Sequence, residues 1–511
     1  MSQQLTQNEW GFSIACDNPF AIFRLLQEIA RKSVGEEHVI DLSRGDPGYG
    51  FTPSERGRLF YSYLLALDTH FNNATERFIH LRREDLDVIN AGIESFTRDI
   101  YGKRMAEDLL TQLDEFCGDV QEMAAESGLK WDRFDVLHEC FRFCNLSGGN
   151  YLNPQGETIV RVVLAHWYRK FISVPLTHED FILTSGASHA IGTLFKSLGV
   201  EGVNFLNSQS TVLMFSPVYS PYNMSLLNRN IQSFSLSVDP MTGALSEESL
   251  EHLKSFDGRL SAIILIDPNN PTGFSLSDDA IAKIAEIARQ HDALVITDEV
   301  YASFFPKKKT LVDYCPERVV RIDARSKIER STGLRFGDMF ISQEANEYIT
   351  NTILGSHLSG IDFKNYLMQA KGPGGSDGEL QHTTFVPGPS QFLGIAHMVM
   401  AGEERQRYFE GVQHNVDLFV SELQLPHKGN MYYTIFDLNS IDGCTKGNVS
   451  PEQKMVELAK RGVVYIPANL FFSENERLDN SKLNMVRASV VNTSAERVQK
   501  AAKITREYLT S

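Results

Sequence analysis

The sequence predicts an α/β fold: a large domain on a mostly parallel sheet covered by helices on both faces, plus a smaller α+β domain. Three observations predict it. From about residue 150 to residue 375, short apolar runs alternate with segments of helical period. The runs TVLMFS, LSAIILI and ALVITD are apolar almost without interruption, as strands buried on both faces must be. Beyond Gly411 this alternation gives way to a shorter mixture of strands and helices.

Residues 1–60 are expected to be an N-terminal segment that joins the small domain and the edge of the active site. The turn DLSRGDPGYGF, at Asp41 to Phe51, interrupts it. Residues 61–150 read as a helical insertion, with Leu86, Ile89, Ile93 and Phe96, then Leu109, Leu113 and Phe116, recurring at three- and four-residue spacing. That stretch is either an oligomer interface or lid, or simply an insertion packed on the main domain. The large domain is placed at 151–380. DFILTSG is a strand with a glycine turn, HAIGTLFKSLG a helix, and TVLMFSPVYSPY a strand and loop. LSAIILIDPNNPTG is a buried strand and turn, followed by a helix with Ile281, Ile284, Ile287 and Ala288 on one face. ALVITDEVY and VVRID complete the strands. Residues 376–400 hold a glycine- and proline-rich loop before an apolar helix. In the small domain, 381–511, YYTIFDL, GVVYIPA and LNMVRASVV read as strands, and PEQKMVELAKRG and the C-terminal segment as helices.

A chain of 511 residues suffices for two or more cores, and 42% hydrophobic with 22% charged residues is an ordinary globular balance. Lys and Arg number 49 against 65 Asp and Glu, a formal charge of −16. That argues against a general binder of nucleic acid or of an anionic membrane, for want of cations to neutralise phosphates. A local basic pocket for small anions remains allowed. Six cysteines include no CxxC pair. Cys140 and Cys144, one helical turn apart, read as buried free thiols, and no metal site is expected. The start MSQQLTQNEW has neither a positive n-region nor an apolar h-region, and no apolar run reaches membrane-spanning length. The expectation is a reduced, cytoplasmic protein.

The chemistry is expected around Lys327, in SKIERSTGLRFG, with Arg335 eight residues on. A lysine that forms a Schiff base needs a pocket favouring its neutral amine, and an aldehyde held beside it. Pyridoxal 5′-phosphate is such an aldehyde, and its other needs can be sought independently. Arg335 offers a planar fork for phosphate oxygens. A protonated pyridinium needs an anion, for which Asp298 at the carboxyl end of ALVITD is the candidate; a loop or helix-capping carboxylate is the alternative. Tyr301 and Asn270, the latter in NNPTG, can donate to the 3′-oxygen. The turn Ser185-Gly186-Ala187-Ser188-His189 leads into a helix, whose N–H groups can cradle phosphate. Tyr219, in SPVY, is either the ring's stacking partner or a buried loop tyrosine.

In this order and spacing, over about residues 145–511, these segments resemble the aspartate aminotransferase superfamily, fold type I of the pyridoxal-phosphate enzymes. The resemblance implies that Lys327 is the Schiff-base lysine, Asp298 the pyridinium partner and Tyr219 the stacking ring, these three being the catalytic set. It implies that Asn270 and Tyr301 bind the 3′-oxygen and that Ser188 and Arg335 hold phosphate. Arg487, in MVRASVV, matches the arginine that pairs with the substrate α-carboxylate. Tyr151, in GGNYLNPQG, resembles a tyrosine that reaches the cofactor phosphate of a neighbouring subunit, which implies a homodimer or higher homo-oligomer. The family usually has a serine three residues before the lysine; this chain has Ala324, for which Ser326 or Arg325 would have to compensate.

Two reactions follow from that resemblance. The helical insertion, the motif Ser43-Arg44-Gly45-Asp46-Pro47 and LPHKGNMYYTIFDL resemble aspartate 4-decarboxylase, a β-decarboxylase. Arg44 and Gly45 are then candidates at a second substrate carboxylate, or Arg44 is a structural arginine. NNPTG, and Ile328 where decarboxylases tend to carry an aromatic, favour a transaminase of an α-amino acid, with dicarboxylic substrates admitted. The reading from another class, a degenerate relative that only binds or regulates, predicts loss of the lysine, aspartate or arginines; all are present.

Overall fold

The computed structural model describes residues 12–511 except 15–18, 48–50, 74–76, 150, 200–202, 240–241, 246, 248, 250, 252–259, 306–307, 356–359, 369–385, 426–431, 474–475 and 477–478. Most of the loop expected within 376–400, and part of LPHKGNMYYTIFDL, lie outside the described residues. In chain order the strands are β1 (Ile40–Asp41), β2 (Phe181–Thr184), β3 (Thr211–Ser216), β4 (Gln232–Ser237), β5 (Leu260–Ile266) and β6 (Leu294–Asp298). They continue as β7 (Val319–Ala324), β8 (Gly337–Phe340), β9 (Tyr433–Asp437), β10 (Val463–Val464), β11 (Ile466–Pro467) and β12 (Met485–Ser489). Their packing divides the chain into two compact units that interleave along it.

The first unit comprises Met1–Thr52, Ser208–Ile287 and Arg407–Ser511. Here β3 lies between β4 and β5, parallel to both, with Thr211 opposite Gln232 and Leu260. A second sheet runs β11-β12-β9, antiparallel throughout, and places Arg487 opposite Ile466 and Ile435. The N-terminal segment joins this unit because β1 pairs with β10 in parallel, Ile40 opposite Val463. Leu26, Phe419, Leu458 and Val498 share one core beneath these strands. The run GVVYIPA does not form one strand. Buried Tyr465 divides it, turning its hydroxyl to Thr505 Oγ1 (2.7 Å), so that β10 and β11 serve different sheets. The packing also regroups the expected contiguous domains. Residues 208–287 pack with the chain ends because Val218 N donates to Phe471 O (2.7 Å), and Ser216 and Ser237 both hydrogen-bond Glu476 (2.5 Å each).

The second unit comprises Pro53–Asn207 and Ala288–Gln406. Its strands run β2-β8-β7-β6. β6 and β7 are parallel, whereas β8 is antiparallel to both β7 and β2. The α/β class with a mostly parallel sheet is therefore correct. Three strands escaped the sequence reading: β1 (ID) is only two residues long, β4 (QSFSLS) is largely polar and partly exposed, and β8 (GDMF) opens on two residues of low strand propensity. The helical stretch behaves as a packed insertion. Helix Leu86–Glu126 buries Ile89, Ile93, Leu109, Leu113 and Phe116 and packs on helices Arg133–Phe141 and Thr158–Tyr168, bending at Gly102. Phe96 instead stacks on His70, ring centroids 4.5 Å apart. Cys117 and Cys140 are buried free thiols, both raised by burial, Cys117 to about 12, whereas Cys144, also expected to be buried, is a free thiol that is only half-buried. Among the described residues no helix is long and apolar enough to cross a membrane.

Candidate active site

The second unit gathers the lysine and phosphate segments around β8. Gly337 pairs with Thr184 on one side and with Ala324 on the other, which brings the ends of β2 and β7 to its two flanks. A Cβ on Gly337 would lie 2.8 Å from Gly186 Cα, so only glycine lets the two chains approach this closely. Beyond Thr184 the turn Ser185-Gly186, with Gly186 at φ 84, opens the helix Ala187–Gly199. A Cβ on Gly186 would sit 2.5 Å from Arg335 Nη2. Arg335, itself left-handed (φ 54), donates from Nη2 to Ser185 O (3.2 Å) and from Nη1 to Thr332 O (3.0 Å). Its guanidinium thus lies against the turn that starts the helix, an arrangement suited to an anion. Ser188 is exposed on that first helical turn. His189 Nδ1 accepts from Ser185 N (3.1 Å), which requires that nitrogen unprotonated; burial and Arg335 both lower its affinity for a proton.

Lys327 sits in the helical turn Arg325–Ile328 directly after β7, half-buried, with Ser326 buried beside it. The turn is held by Arg325 N donating to Phe336 O (2.9 Å) and Glu329 N to Arg325 O (3.0 Å). Asp298 is the last residue of β6, opposite Ile322 of β7, and is 4% exposed. Its Oδ1 accepts from Val300 N (3.3 Å), so it orders the turn leading to buried Tyr301. One compensation for Ala324 falls away. Arg325 is fully buried, and its Nη2 is spent on Asp323 Oδ2 (2.6 Å) and Tyr168 Oη (2.9 Å). Tyr151 is 91% exposed.

The first unit carries the arginine. Arg487 on β12 is 6% exposed; Nη1 donates to Asn270 Oδ1 (3.1 Å) and Nη2 to Ser43 O (2.6 Å). Its Nε is buried with no hydrogen-bond partner among the described residues. The guanidinium lies 4.4 Å from the Tyr433 ring and 5.1 Å from the Phe471 ring, contacts worth about 2 kcal/mol each when desolvated. Because Asn270 Oδ1 accepts from Arg487, its amide nitrogen is turned away from the arginine and is free to act as the donor end. Asn269 Nδ2 donates to Pro217 O (3.1 Å), steadying the loop that bears half-buried Tyr219. A Cβ on Gly45 would collide with Tyr433 Oη. Arg44 lies beside Asp41. Its Nε is 3.4 Å from Asp41 Oδ2, and it lines a cavity of about 440 Å³ with Arg31, Asn492 and Arg497.

Tyr433, Phe471 and the Ser43 carbonyl were not singled out by sequence. The pairing of β12 with β9 shows why: Tyr433 is the diagonal neighbour of Arg487, a relation that exists only once register is known. The second unit's donor set fits pyridoxal 5′-phosphate, with a cation and helix N-terminus for phosphate, a buried carboxylate and a primary amine; the first unit's buried Arg487 fits a substrate carboxylate.

Known proteins were compared with the chain. The profile of the family described as aminotransferase class I and II matches residues 146–501. An inactive alanine aminotransferase of Saccharomyces cerevisiae is 32% identical over 176 residues, 33% of this chain and 34% of that one. A bifunctional aspartate aminotransferase and L-aspartate beta-decarboxylase of a Pseudomonas species is 23% identical over 342 residues, 62% of this chain and 59% of that one. The matched stretches thus span about a third to three fifths of these two relatives' lengths. Among solved structures, alanine aminotransferase from Pyrococcus furiosus superposes with a TM-score of 0.62 at 15% identity, over 97% of this chain and 99% of that one. A double mutant of Thermus thermophilus aspartate aminotransferase gives 0.59 at 16% identity, over 99% and 100%. These two likenesses speak for the fold alone. Since the family profile accounts for more than half of its length, the chain belongs to the class I and II aminotransferases.

Proposed function

We propose that this chain is a pyridoxal 5′-phosphate-dependent aminotransferase of an α-amino acid, acting through Lys327. The observation that carries the reading is Gly337, flanked by the phosphate turn on one side and the lysine turn on the other. In this reading Arg335, Ser188 and the N–H groups after Gly186 and Ala187 hold the phosphate, with Ser326 near the lysine. Asp298 keeps the ring nitrogen protonated, Tyr301 and Asn270 donate to the 3′-oxygen, and Tyr219 covers the ring. When bound, the cofactor supplies an electron sink. Arg487 pairs with the substrate α-carboxylate, to which its unpartnered Nε offers one more donor. Lys327 would act as the general base that takes the proton from the substrate Cα. The exposure of Tyr151 supports its reaching a neighbouring subunit, hence a homodimer. A cytoplasmic setting in amino-acid biosynthesis belongs to the same proposal.

β-Decarboxylation is kept as a second reading, because the Pseudomonas relative whose name includes that activity aligns over 342 residues. Incubation with aspartate and 2-oxoglutarate separates the two: oxaloacetate and glutamate support transfer, whereas alanine and carbon dioxide sink it. A purified protein that shows no yellow absorbance after cofactor addition would revive the degenerate reading.

A further inference from the structure

Behind the lysine turn the second unit buries an ionic network that the proposed chemistry does not use. Arg321, Asp323 and Arg325 come from β7 and the turn after it, Glu299 from the end of β6, Asp338 from β8 and Tyr168 from helix Thr158–Tyr168; each is at most 2% exposed. Arg321 Nε meets Glu299 Oε2 (2.6 Å), and the Arg321 and Arg325 guanidinium carbons stand 4.1 and 5.5 Å from the Tyr168 ring. Tyr168 Oη lies 2.8 Å from Asp323 Oδ2 and 2.7 Å from Asp338 Oδ1, while accepting from Arg325 Nη2 at 2.9 Å.

Proton counting decides the charge states. A phenol has one hydrogen, so it donates to only one of the two carboxylates; two ionised acids would leave one short oxygen–oxygen contact without a proton. Asp323 is surrounded by donors: Ala324 N (2.6 Å), Arg325 Nη2 (2.6 Å) and Arg321 Nη2 (3.5 Å). Among the described residues Asp338 has, besides Tyr168, only Arg325 Nη2 at 3.4 Å, and β2 opposes it with Leu183. The proton belongs on Asp338. Two arginines then balance two carboxylates and the buried site is neutral, which a low-dielectric interior strongly favours.

We infer that Asp338 is a protonated acid that donates to Tyr168, and that this Asp323–Tyr168–Asp338 chain positions the Lys327 turn through Arg325. The inferred positioning rests on the cofactor reading above; the protonation does not. Burial, the largest influence, raises Asp338 to about 6 against the pull of Arg325, in the same sense. Among the described residues the network also leaves Arg325 Nε and Nη1 and Arg321 Nη1 without partners. Apolar packing would be at least as stable, so its presence two residues from Lys327 points to geometry rather than stability.

Two measurements on the full chain test this. A wild-type minus Asp338→Asn infrared difference spectrum of the cofactor-free protein at pH 6 is expected to show a protonated-carboxyl C=O band. Absence of the band overturns the protonation, whether or not the chain is an aminotransferase. In absorbance titrations with pyridoxal 5′-phosphate, Asp338→Asn, which keeps a donor to Tyr168, should bind within threefold of wild type. Asp338→Ala should bind at least tenfold more weakly. Equal affinities for the two variants overturn the positioning role. Should the alanine variant not fold, Tyr168→Phe replaces it: at least tenfold weaker binding is expected, and unchanged binding overturns the role.

Discussion

Arg487 shows how much of this site is a matter of single side chains. Its fork is held by one amide oxygen and one carbonyl and lies near two rings. Lysine has a point charge and no planar fork. Arg487→Lys should therefore lower kcat/KM for the amino donor about 100-fold, equivalent to about 2.7 kcal/mol of lost transition-state binding. Gly45 faces the same Tyr433 ring. Gly45→Ala drives a methyl group into the Tyr433 hydroxyl, so it should cut kcat/KM about tenfold, and adding Tyr433→Phe should recover part of that loss. Full additivity of the two changes would show that they do not meet. Lys327→Ala should abolish the yellow absorbance of the cofactor-loaded protein; persistence of the band would move the reactive lysine elsewhere. Lys327, Asp298 and Arg487 could be proposed from sequence because each lies in a short motif. Tyr433 and Phe471 were not, because a side chain's neighbours across a sheet follow from register.

At the scale of elements, the helices Glu55–Phe71 and Gly388–Met400 of the second unit meet at Gly57 and His397. A Cβ on Gly57 would stand 2.5 Å from His397 Cδ2. His397 is 1% exposed and neither ring nitrogen has a partner, so burial pushes it down to about 4. The neutral ring is the one the fold accepts, whereas the unfolded chain protonates it near its ordinary value of about 6.5. Stability from this group is thus complete above pH of about 6.5 and is lost as pH falls towards 4, by up to about 3 kcal/mol. Denaturant titrations at pH 7.5 and 4.5 should show a smaller acid loss in His397→Leu than in wild type; an unchanged loss would clear His397. Gly57→Ala should destabilise at any pH by about 1–3 kcal/mol through overpacking. Periodicity revealed the faces of the helical insertion and of the helix Asp278–Gln290, yet it read GVVYIPA as one strand. Two residues each of β10 and β11 are too few for a period, and the division follows from where Tyr465 finds Thr505.

For the molecule as a whole, the exposed Tyr151 leads to a complementation experiment. Lys327→Ala and Tyr151→Phe chains, each weak alone, should regain activity when mixed under exchange, because a hybrid dimer contains one site with both residues intact. No gain on mixing, with exchange verified, would end the shared-site proposal. The sequence by itself determined the α/β class, the order of the motifs and the family to which the chain belongs, because strand burial and short catalytic motifs are local patterns. Only the tertiary structure decided that residues 208–287 pack with the chain ends and that β8 runs antiparallel between the phosphate and lysine segments. It alone also showed Arg325 committed to a buried network and Arg44 turned towards Asp41. Apart from the Arg44 pair, these are relations between residues tens to hundreds of positions apart. They arise from the common burial of charge and apolar surface, which no local pattern encodes.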